Sequence, residues 1–356
     1  MGTRPQIIKS AHLINELANN RNVNLQIVHT GQHFDYEMSK VFFEELLIPD
    51  PNYNLNVGAG SHSYQIAETI QKLAKVLPEL KPHVVLVPGD TNSALAAALS
   101  AIKGGVHVAH FESGARCYDM SMAEEINRRI VDHISFMLFA VSENCVENLK
   151  KESVLGKIFL TGDTMYDVFL REHAGIQNSK IIDKTNVKDE YCVLTLHRAE
   201  NVDNVRKFKD ILTTVNKVMN QKVIFPIHPR TKSVLNKSML NFGNIITIDP
   251  LPYHDMMRLI QGSSFVLTDS GGLQKEALWC KTPCITLRER TEWVETINLG
   301  VNFIAGTTDK NISVAIQKLL ENYSEIKKRF NKIENPYGDG NASKKITNFL
   351  LEAGRL

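Results

Sequence analysis

At 356 residues, with 43% hydrophobic and 22% charged content, the chain is long enough for two domains with sizeable cores and has an ordinary globular composition. Its 41 Lys and Arg stand against 39 Asp and Glu, a near balance that argues against a nucleic-acid or membrane-surface binder driven by bulk charge while allowing a local basic pocket. No apolar run is long enough to span a bilayer and no secretory signal opens the chain, so no membrane partner and a cytoplasmic location are expected.

Gly2-Thr3-Arg4-Pro5 opens a helical pattern that reaches about Ala18. A glycine turn entering a helix ordinarily follows a strand, as in phosphate-binding loops, yet only Met1 precedes this one. Either the first strand is missing or the true start lies upstream. The turn puts Arg4 and Lys9 near a helix N-terminus, which suits an anionic phosphate; taken alone, these residues fit an ordinary N-terminal helix with solvated charges better. Leu25 to Val28 reads as a strand ending at His29-Thr30-Gly31-Gln32-His33. The histidines there make polar contacts to a sugar or phosphate, or are plain loop residues; no ligand set with metal-binding spacing accompanies them. Phe34 to Leu47 is amphipathic and helical, Pro49 to Ser63 is a polar loop, and His62 to Leu77 is a second helix.

The stretch from Val84 to Arg129 organises the rest. Val84 to Val87 is an apolar run that breaks at Pro88-Gly89 into Asp90-Thr91-Asn92-Ser93, and Val106 to His110 is a second that breaks into Phe111-Glu112-Ser113-Gly114-Ala115-Arg116. An alanine-rich helix, Ala94 to Ile102, joins them. Ligands of parallel α/β sheets bind outside the carboxyl ends of the strands, so Asp90 and Glu112 are expected at one crevice. Clustered carboxylates push each other's pKa values apart, which suits proton transfer in both directions. A helix then starts with Glu124 and Glu125; Ile126, Ile130 and Ile134 recur every four residues and predict a buried stripe. Acids at a helix start offset the macrodipole, which accounts for one of Glu124 and Glu125 better than for both. Phe136 to Ala140 and Ile158 to Leu160 are further strands, with a helix from Ser142 to Lys151 between them.

From Arg171 to Glu190 the chain turns polar and irregular, which marks an interdomain linker. Strand signals restart at Tyr191 to Thr195, Lys222 to Ile227, Ile245 to Ile248 and Ser264 to Leu267, each running into polar residues and alternating with helices, which predicts a second parallel sheet. The turn Ser270-Gly271-Gly272 is the sharpest local signal. Asp269 or Ser270 can cap a helix from Leu273 to Trp279, and two glycines let backbone N–H groups approach a diphosphate at the positive end of the helix dipole. Glu276, one turn along, suits a ribose diol, and His197-Arg198 at a neighbouring strand end strengthens the anion reading. Arg288 to Trp293 adds charge after the strand Cys284 to Leu287. The five cysteines (Cys117, Cys145, Cys192, Cys280, Cys284) form no CxxC pair, so neither a metal site nor a disulfide framework is expected.

Together these motifs resemble the non-hydrolysing UDP-N-acetylglucosamine 2-epimerase family: Gly2-Thr3-Arg4-Pro5, His29-Thr30-Gly31-Gln32-His33, Gly89-Asp90-Thr91, Glu112-x-Gly114-x-Arg116, Glu124-Glu125-x-Asn127-Arg128, His197-Arg198-x-Glu200-Asn201, His228-Pro229-Arg230-Thr231, Asp269-Ser270-Gly271-Gly272-x-Gln274-Lys275-Glu276-Ala277 and Arg290-Thr291-Glu292. Each is weak alone; in this order and spacing the set is specific. The resemblance implies an α/β protein with two Rossmann-like domains facing a deep cleft, the glycosyltransferase-B architecture, usually as a homodimer. The domains run over residues 1–170 and 171–335, the second binding UDP, with a closing helix in 336–356 packing back on the first. The implied reaction is reversible C2 inversion of UDP-GlcNAc to UDP-ManNAc through elimination and re-addition of UDP, without cofactor or metal.

By the family pattern, Asp90, Glu112 and Glu124 are the acid–base candidates; Arg4, His197, Arg198, Ser270, Gly271 and Gly272 face the diphosphate; Glu276 faces the ribose; Lys9 and Arg116 are supporting cations; and Gln32 and His33 match an allosteric substrate site of some bacterial members. The chain departs from the pattern at Gln6, where Glu is common, at Ser113 and Ala115, where Ala and Leu stand, and at Ala123, where Pro stands. Gln6 with Trp293-Val294-Glu295-Thr296 also resembles members that epimerise UDP-2,3-diacetamido-2,3-dideoxy-glucuronate. A glycosyltransferase of the same architecture and a catalytically degenerate nucleotide-sugar-binding paralogue are the remaining alternatives; the three acids favour an epimerase over both.

Overall fold

The computed structural model describes residues 1–31, 40–185, 189–228, 231–232, 234–235 and 243–353. The chain divides into two compact units, Met1–Glu172 with Asn335–Leu356, and His173–Glu334. Each is built on parallel strands rich in Val, Ile and Leu, which tolerate burial on both faces.

In the first unit, β1 (Val28–His29) pairs with β2 (Tyr53–Asn54), and β3 (Val84–Pro88), β4 (His107–Ser113), β5 (Met137–Ala140) and β6 (Lys157–Leu160) form a four-stranded sheet in sequence order. Met1 lies alongside β1, donating from its amino group to Val28 O at 3.0 Å and accepting from Thr30 N at 2.8 Å. The helix Arg4–Ala18 follows directly. Between β3 and β4 the helix Asn92–Lys103 buries Ala94, Ala96, Ala98 and Ala101, and Thr91 Oγ1 caps its start. Small side chains let it pack closely on its neighbours.

The last helix, Ala342–Ala353, belongs to this unit. Ile346 joins Leu13, Leu17, Phe111, Met137 and Phe139 in one core, and the Phe349 ring lies 4.2 Å from that of Phe159. Asp167 caps the helix, accepting from Ala342 N at 3.1 Å and Ser343 N at 2.6 Å.

The second unit carries β7 (Tyr191–Thr195), β8 (Lys222–Pro226), β9 (Ile245–Ile248), β10 (Val266–Thr268), β11 (Cys284–Thr286) and β12 (Asn302–Ile304). Their spatial order, β12-β11-β10-β7-β8-β9, is that of a Rossmann sheet, with the topological switch between β7 and β10.

Two expectations change. The stretch after Arg171 that reads as irregular holds helices His173–Asn178 and Ile181–Thr185, because Ile176 and Ile181 are buried and Ser179 Oγ donates to Asp255 Oδ1 at 2.5 Å. The isoleucine stripe is not buried: Ile126 and Ile130 are each 38% exposed. The helix Ala123–Ile134 instead turns Glu125, Arg128, Val131 and Asp132 inward. Burying these charges is feasible because each meets a partner. No helix among the described residues is long and apolar enough to cross a membrane.

Ile346→Ala is expected to lower the unfolding free energy by about 2–4 kcal/mol, because the side chain fills a closed core. Urea denaturation followed by circular dichroism measures it; a change under about 1 kcal/mol would mean that the last helix contributes little to that core.

Candidate functional site

β3 and β4 run in register with Pro88 opposite Phe111, so their carboxyl tips emerge side by side. Gly89 N donates to Phe111 O at 3.0 Å across them. Asp90 follows one tip and Glu112 sits in the other. Glu112 has φ 64°, a left-handed conformation that side-chain-bearing residues seldom adopt, and the β4–β5 register shifts between Phe111 and Ser113. Such an irregularity re-aims a side chain. Glu112 Oε1 meets Lys9 Nζ at 2.7 Å, with Lys9 buried and Glu112 nearly so. Gly89 leaves the space for this pair: its φ is 60°, and a Cβ there would stand 2.7 Å from Lys9 Nζ.

A chain of ion pairs runs from Asp90. Its Oδ2 accepts from Arg128 Nη2 at 2.5 Å, and its carbonyl accepts from Asn127 Nδ2 at 2.9 Å. Arg128 reaches Glu125 at 3.3 Å, Glu125 binds Arg129 at 3.1 Å, and Arg129 binds Glu152 at 3.2 Å. Arg116 donates twice to Glu152, from Nε at 2.9 Å and Nη2 at 2.7 Å, and its Nη1 stands 2.8 Å from Asp132 Oδ2. Asp132 Oδ1 lies 2.7 Å from His110 Nδ1, and His110 Nε2 lies 2.9 Å from Gly89 O. The chain thus leaves β3's tip at Asp90 and returns to it at Gly89. Burial alone would raise the Asp132 carboxyl, but His110 and Arg116 outweigh it and hold the group below the usual carboxylate range. Glu152 is held low against burial by Arg116 and Arg129.

Glu125 also accepts from Cys117 N at 3.0 Å and Tyr118 N at 3.2 Å, which fixes the loop before its helix. Glu124 differs. It is partly exposed in the first helical turn and has no hydrogen bond or ion pair among the described residues.

In the second unit the polar loops after β7 and β10 flank the topological switch, the place where open α/β sheets bind ligands. Asp269, fully buried, joins them. It accepts from His197 N at 3.1 Å, Arg198 N at 3.0 Å and Asn201 Nδ2 at 3.2 Å, and its Oδ1 lies 3.1 Å from His197 Nδ1. Burial opposes its ionisation, but His197 and the Arg198 N–H overcome that and hold its carboxyl below the ordinary value. The His197 ring packs on His228 at 5.5 Å between centroids, and Arg198 Nε donates to Asp269 O at 2.9 Å.

The helix begins at Gly271 rather than Leu273, and neither expected side chain caps it. Asp269 is committed to the β7 loop, and Ser270 makes no side-chain cap bond. Glu292 lies against this turn: a Cβ on Gly271 would stand 2.2 Å from Glu292 Oε1. Arg288 Nη1 pairs with Glu292 Oε2 at 2.9 Å, and Lys275 Nζ sits 3.7 Å from the centre of the Trp293 ring. Glu276 is buried in the second turn.

Residues 15–351 match the family model described as UDP-N-acetylglucosamine 2-epimerase. The chain belongs to that family. A UDP-N-acetylglucosamine 2-epimerase homolog of Methanococcus maripaludis is 44% identical, over 98% of each chain. The UDP-2,3-diacetamido-2,3-dideoxy-D-glucuronate 2-epimerase of Pseudomonas aeruginosa is 38% identical, over 99% of this chain and 98% of that one. The crystal structure of Methanocaldococcus jannaschii UDP-GlcNAc 2-epimerase in complex with UDP-GlcNAc and UDP aligns with a TM-score of 0.90 at 39% identity, covering 99% of this chain and 98% of that one. The two Rossmann-like units are accordingly of the glycosyltransferase-B type seen in this epimerase family.

Within this family member, Asp90, Glu112 and Lys9 come together at the β3 and β4 tips, while His197, Arg198, Ser270 and Gly271 come together at the switch of the second sheet. Lys9 is bonded to Glu112 rather than standing at the helix start. Arg4 is the first helical residue, its guanidinium 4.7 Å from the Phe42 ring centre. Arg116, read as a supporting cation, is 1% exposed and spends its donors on Glu152, Asp132 and Ala115 O. Gln32, His33, Pro229 and Arg230 lie outside the described residues.

Sequence reasoning missed His110, Asp132 and Glu152, and offered Asp269 or Ser270 as a cap, where neither side chain caps the helix. One signal was available: Glu125, Arg128 and Asp132 fall at i, i+3 and i+7, a continuous helical face, but the isoleucine period beside it was the stronger pattern.

Asp269→Asn is expected to destabilise the protein by about 2–4 kcal/mol at neutral pH, because the bonds from His197 N, Arg198 N and Asn201 lose their charged acceptor and a buried acceptor oxygen is replaced by a donor. A carboxyl lowered by folding stabilises fully above its ordinary value of 3.8 and loses that contribution as pH falls through the folded value. The gap between wild type and variant should therefore close below pH 3.8. Denaturant titrations across pH 3 to 7 test this; a gap that stays constant would rule it out.

Proposed function

We propose that the protein interconverts UDP-GlcNAc and UDP-ManNAc by inverting C2. The observation that carries this reading is the meeting of Asp90 and Glu112 at adjacent strand tips, in a member of a 2-epimerase family. Proton exchange at a carbon next to a departing group needs acid–base groups on both faces of the ring. Asp90, Glu112 and Glu124 supply them. One carboxylate takes the C2 proton while the C1–O bond breaks, and the electron pair leaves with UDP. The 2-acetamidoglucal that remains is protonated at C2 from the opposite face, and the UDP oxygen adds back to C1. The steps balance without an oxidant or reductant.

Charge builds on the diphosphate as UDP leaves, and preorganised donors stabilise it. In this reading the first turn of the helix from Gly271, with His197, Arg198, Ser270 and Gly272, carries the diphosphate, and Glu276 carries the ribose. Lys9 orients Glu112. A homodimer, implied by the resemblance, completes the proposal.

A second substrate is favoured by specific observations. Gln6 and the segment from Trp293 to Thr296 resemble the diacetamido-glucuronate members, and the Pseudomonas relative named for that sugar is 38% identical over nearly the whole chain. Gln6 is buried, bonding Gly2 N at 2.8 Å and Pro88 O at 2.9 Å beside the Asp90 tip.

Proton NMR in D₂O decides between the sugars. Incubation with UDP-GlcNAc should bring deuterium into C2 as UDP-ManNAc appears. Exchange with the diacetamido-glucuronate substrate alone would move the assignment to the second sugar, and UDP binding without exchange on either would sink both. Glu112→Gln should keep UDP affinity while turnover falls by about 10²–10⁴-fold, the usual contribution of a general acid or base. Gly271→Ala should weaken UDP binding about tenfold or more, because the added methyl collides with Glu292 beside the phosphate-facing turn; calorimetry with UDP reads it.

A further inference from the structure

We infer that His110 is a positioning residue for the acid–base pair, closing the ring of ion pairs by binding Asp132 through one nitrogen and Gly89 O through the other. The inference rests on the reading of Asp90 and Glu112 as acid–base groups. His110 is 0% exposed, with Nδ1 2.7 Å from Asp132 Oδ1 and Nε2 2.9 Å from Gly89 O. Both neighbours accept. A carbonyl oxygen has no proton to give, and Asp132 already accepts from Gly114 N at 3.1 Å and pairs with Arg116 at 2.8 Å. The ring thus stands between two acceptors, each within hydrogen-bond distance of one of its nitrogens.

The ring holds the carboxylates of Asp90, Glu125, Glu152 and Asp132 against the guanidinium groups of Arg128, Arg129 and Arg116. His110 joins its two ends, between Asp132 and Gly89 O.

The ring acts on both catalytic tips. Gly89, whose carbonyl His110 binds, immediately precedes Asp90, and Arg128 holds the Asp90 carboxylate from the other end of the ring. Asp132, bound to the same imidazole, fixes Gly114 N, two residues past Glu112. His110 therefore sets the spacing of two carboxylates without meeting substrate. Displacing a reacting group by about 1 Å costs about 100-fold in rate.

His110→Phe removes both ring nitrogens. We expect kcat for C2 exchange in D₂O to fall about 100-fold, with KM and UDP affinity within about threefold of wild type. His110→Gln, which retains a donor towards Gly89 O, should recover about tenfold of that loss. Unchanged kcat in a folded His110→Phe protein, or a loss shared equally by KM and UDP binding, overturns the inference. Should the phenylalanine variant not fold, the glutamine variant decides: its kcat must lie about tenfold below wild type with UDP affinity retained, and an unchanged kcat overturns the inference. Failure of the underlying reading looks different, since Asp90→Asn and Glu112→Gln would then both retain turnover.

Discussion

A carboxylate shut away from water must be met by donors on every side, and Asp132 is the place where the first unit meets that demand. Its two oxygens take up the His110 ring, the Arg116 guanidinium and the Gly114 N–H. These three come from within and just beyond β4, and His110 carries the constraint across to Gly89 on β3. The strand tips cannot drift apart without stranding a charge in the interior, where the penalty is several kcal/mol. That rigidity allows Glu112 to hold an unfavourable backbone conformation while Lys9 keeps its carboxylate in place.

The second unit solves the same problem with the same residue types. Asp269 is as deeply buried as Asp132, sits beside a histidine, and accepts backbone N–H groups from a neighbouring strand's loop. In both units a buried Asp paired with a His ties the loops of two parallel strands together at their carboxyl edge, the His buried in the first unit and 37% exposed in the second. The arrangement follows from the architecture. Parallel strands end in loops with unpaired amides, and a buried carboxylate satisfies several of them at once. The functional loops are thus stiffened from beneath, which leaves their outward groups available for ligand.

Much of this was legible in the residues. The apolar runs of β3, β4, β7 and β10 and the polar tips that follow them could be read directly, since a run of Val, Ile and Leu bounded by Gly or Pro has few other uses. The helix Ala123–Ile134 was read with the wrong face inward. Ile126 and Ile130 form the stronger hydrophobic period, yet Glu125, Arg128 and Asp132 are the buried ones. Hydrophobic periodicity assumes that charges prefer water, and the assumption fails where a full set of counter-charges waits inside. Asp269, read with Ser270 as a possible cap, departs for a related reason: an acid just before a helix is often its cap, and here its oxygens are claimed by His197 and Arg198.

The sequence by itself determined the alternation of strand and helix in both units, the glycine turns, and the acids and cations that end the strands. Those features depend on neighbouring residues and on backbone sterics, so they survive without knowledge of the fold. The tertiary structure alone decided which charges are partners. His110 meets Asp132 across 22 positions and Gly89 across 21, and Arg198 meets Asp269 across 71. Such pairs have no local signature, because the energy that selects them arises only once both groups have left water together.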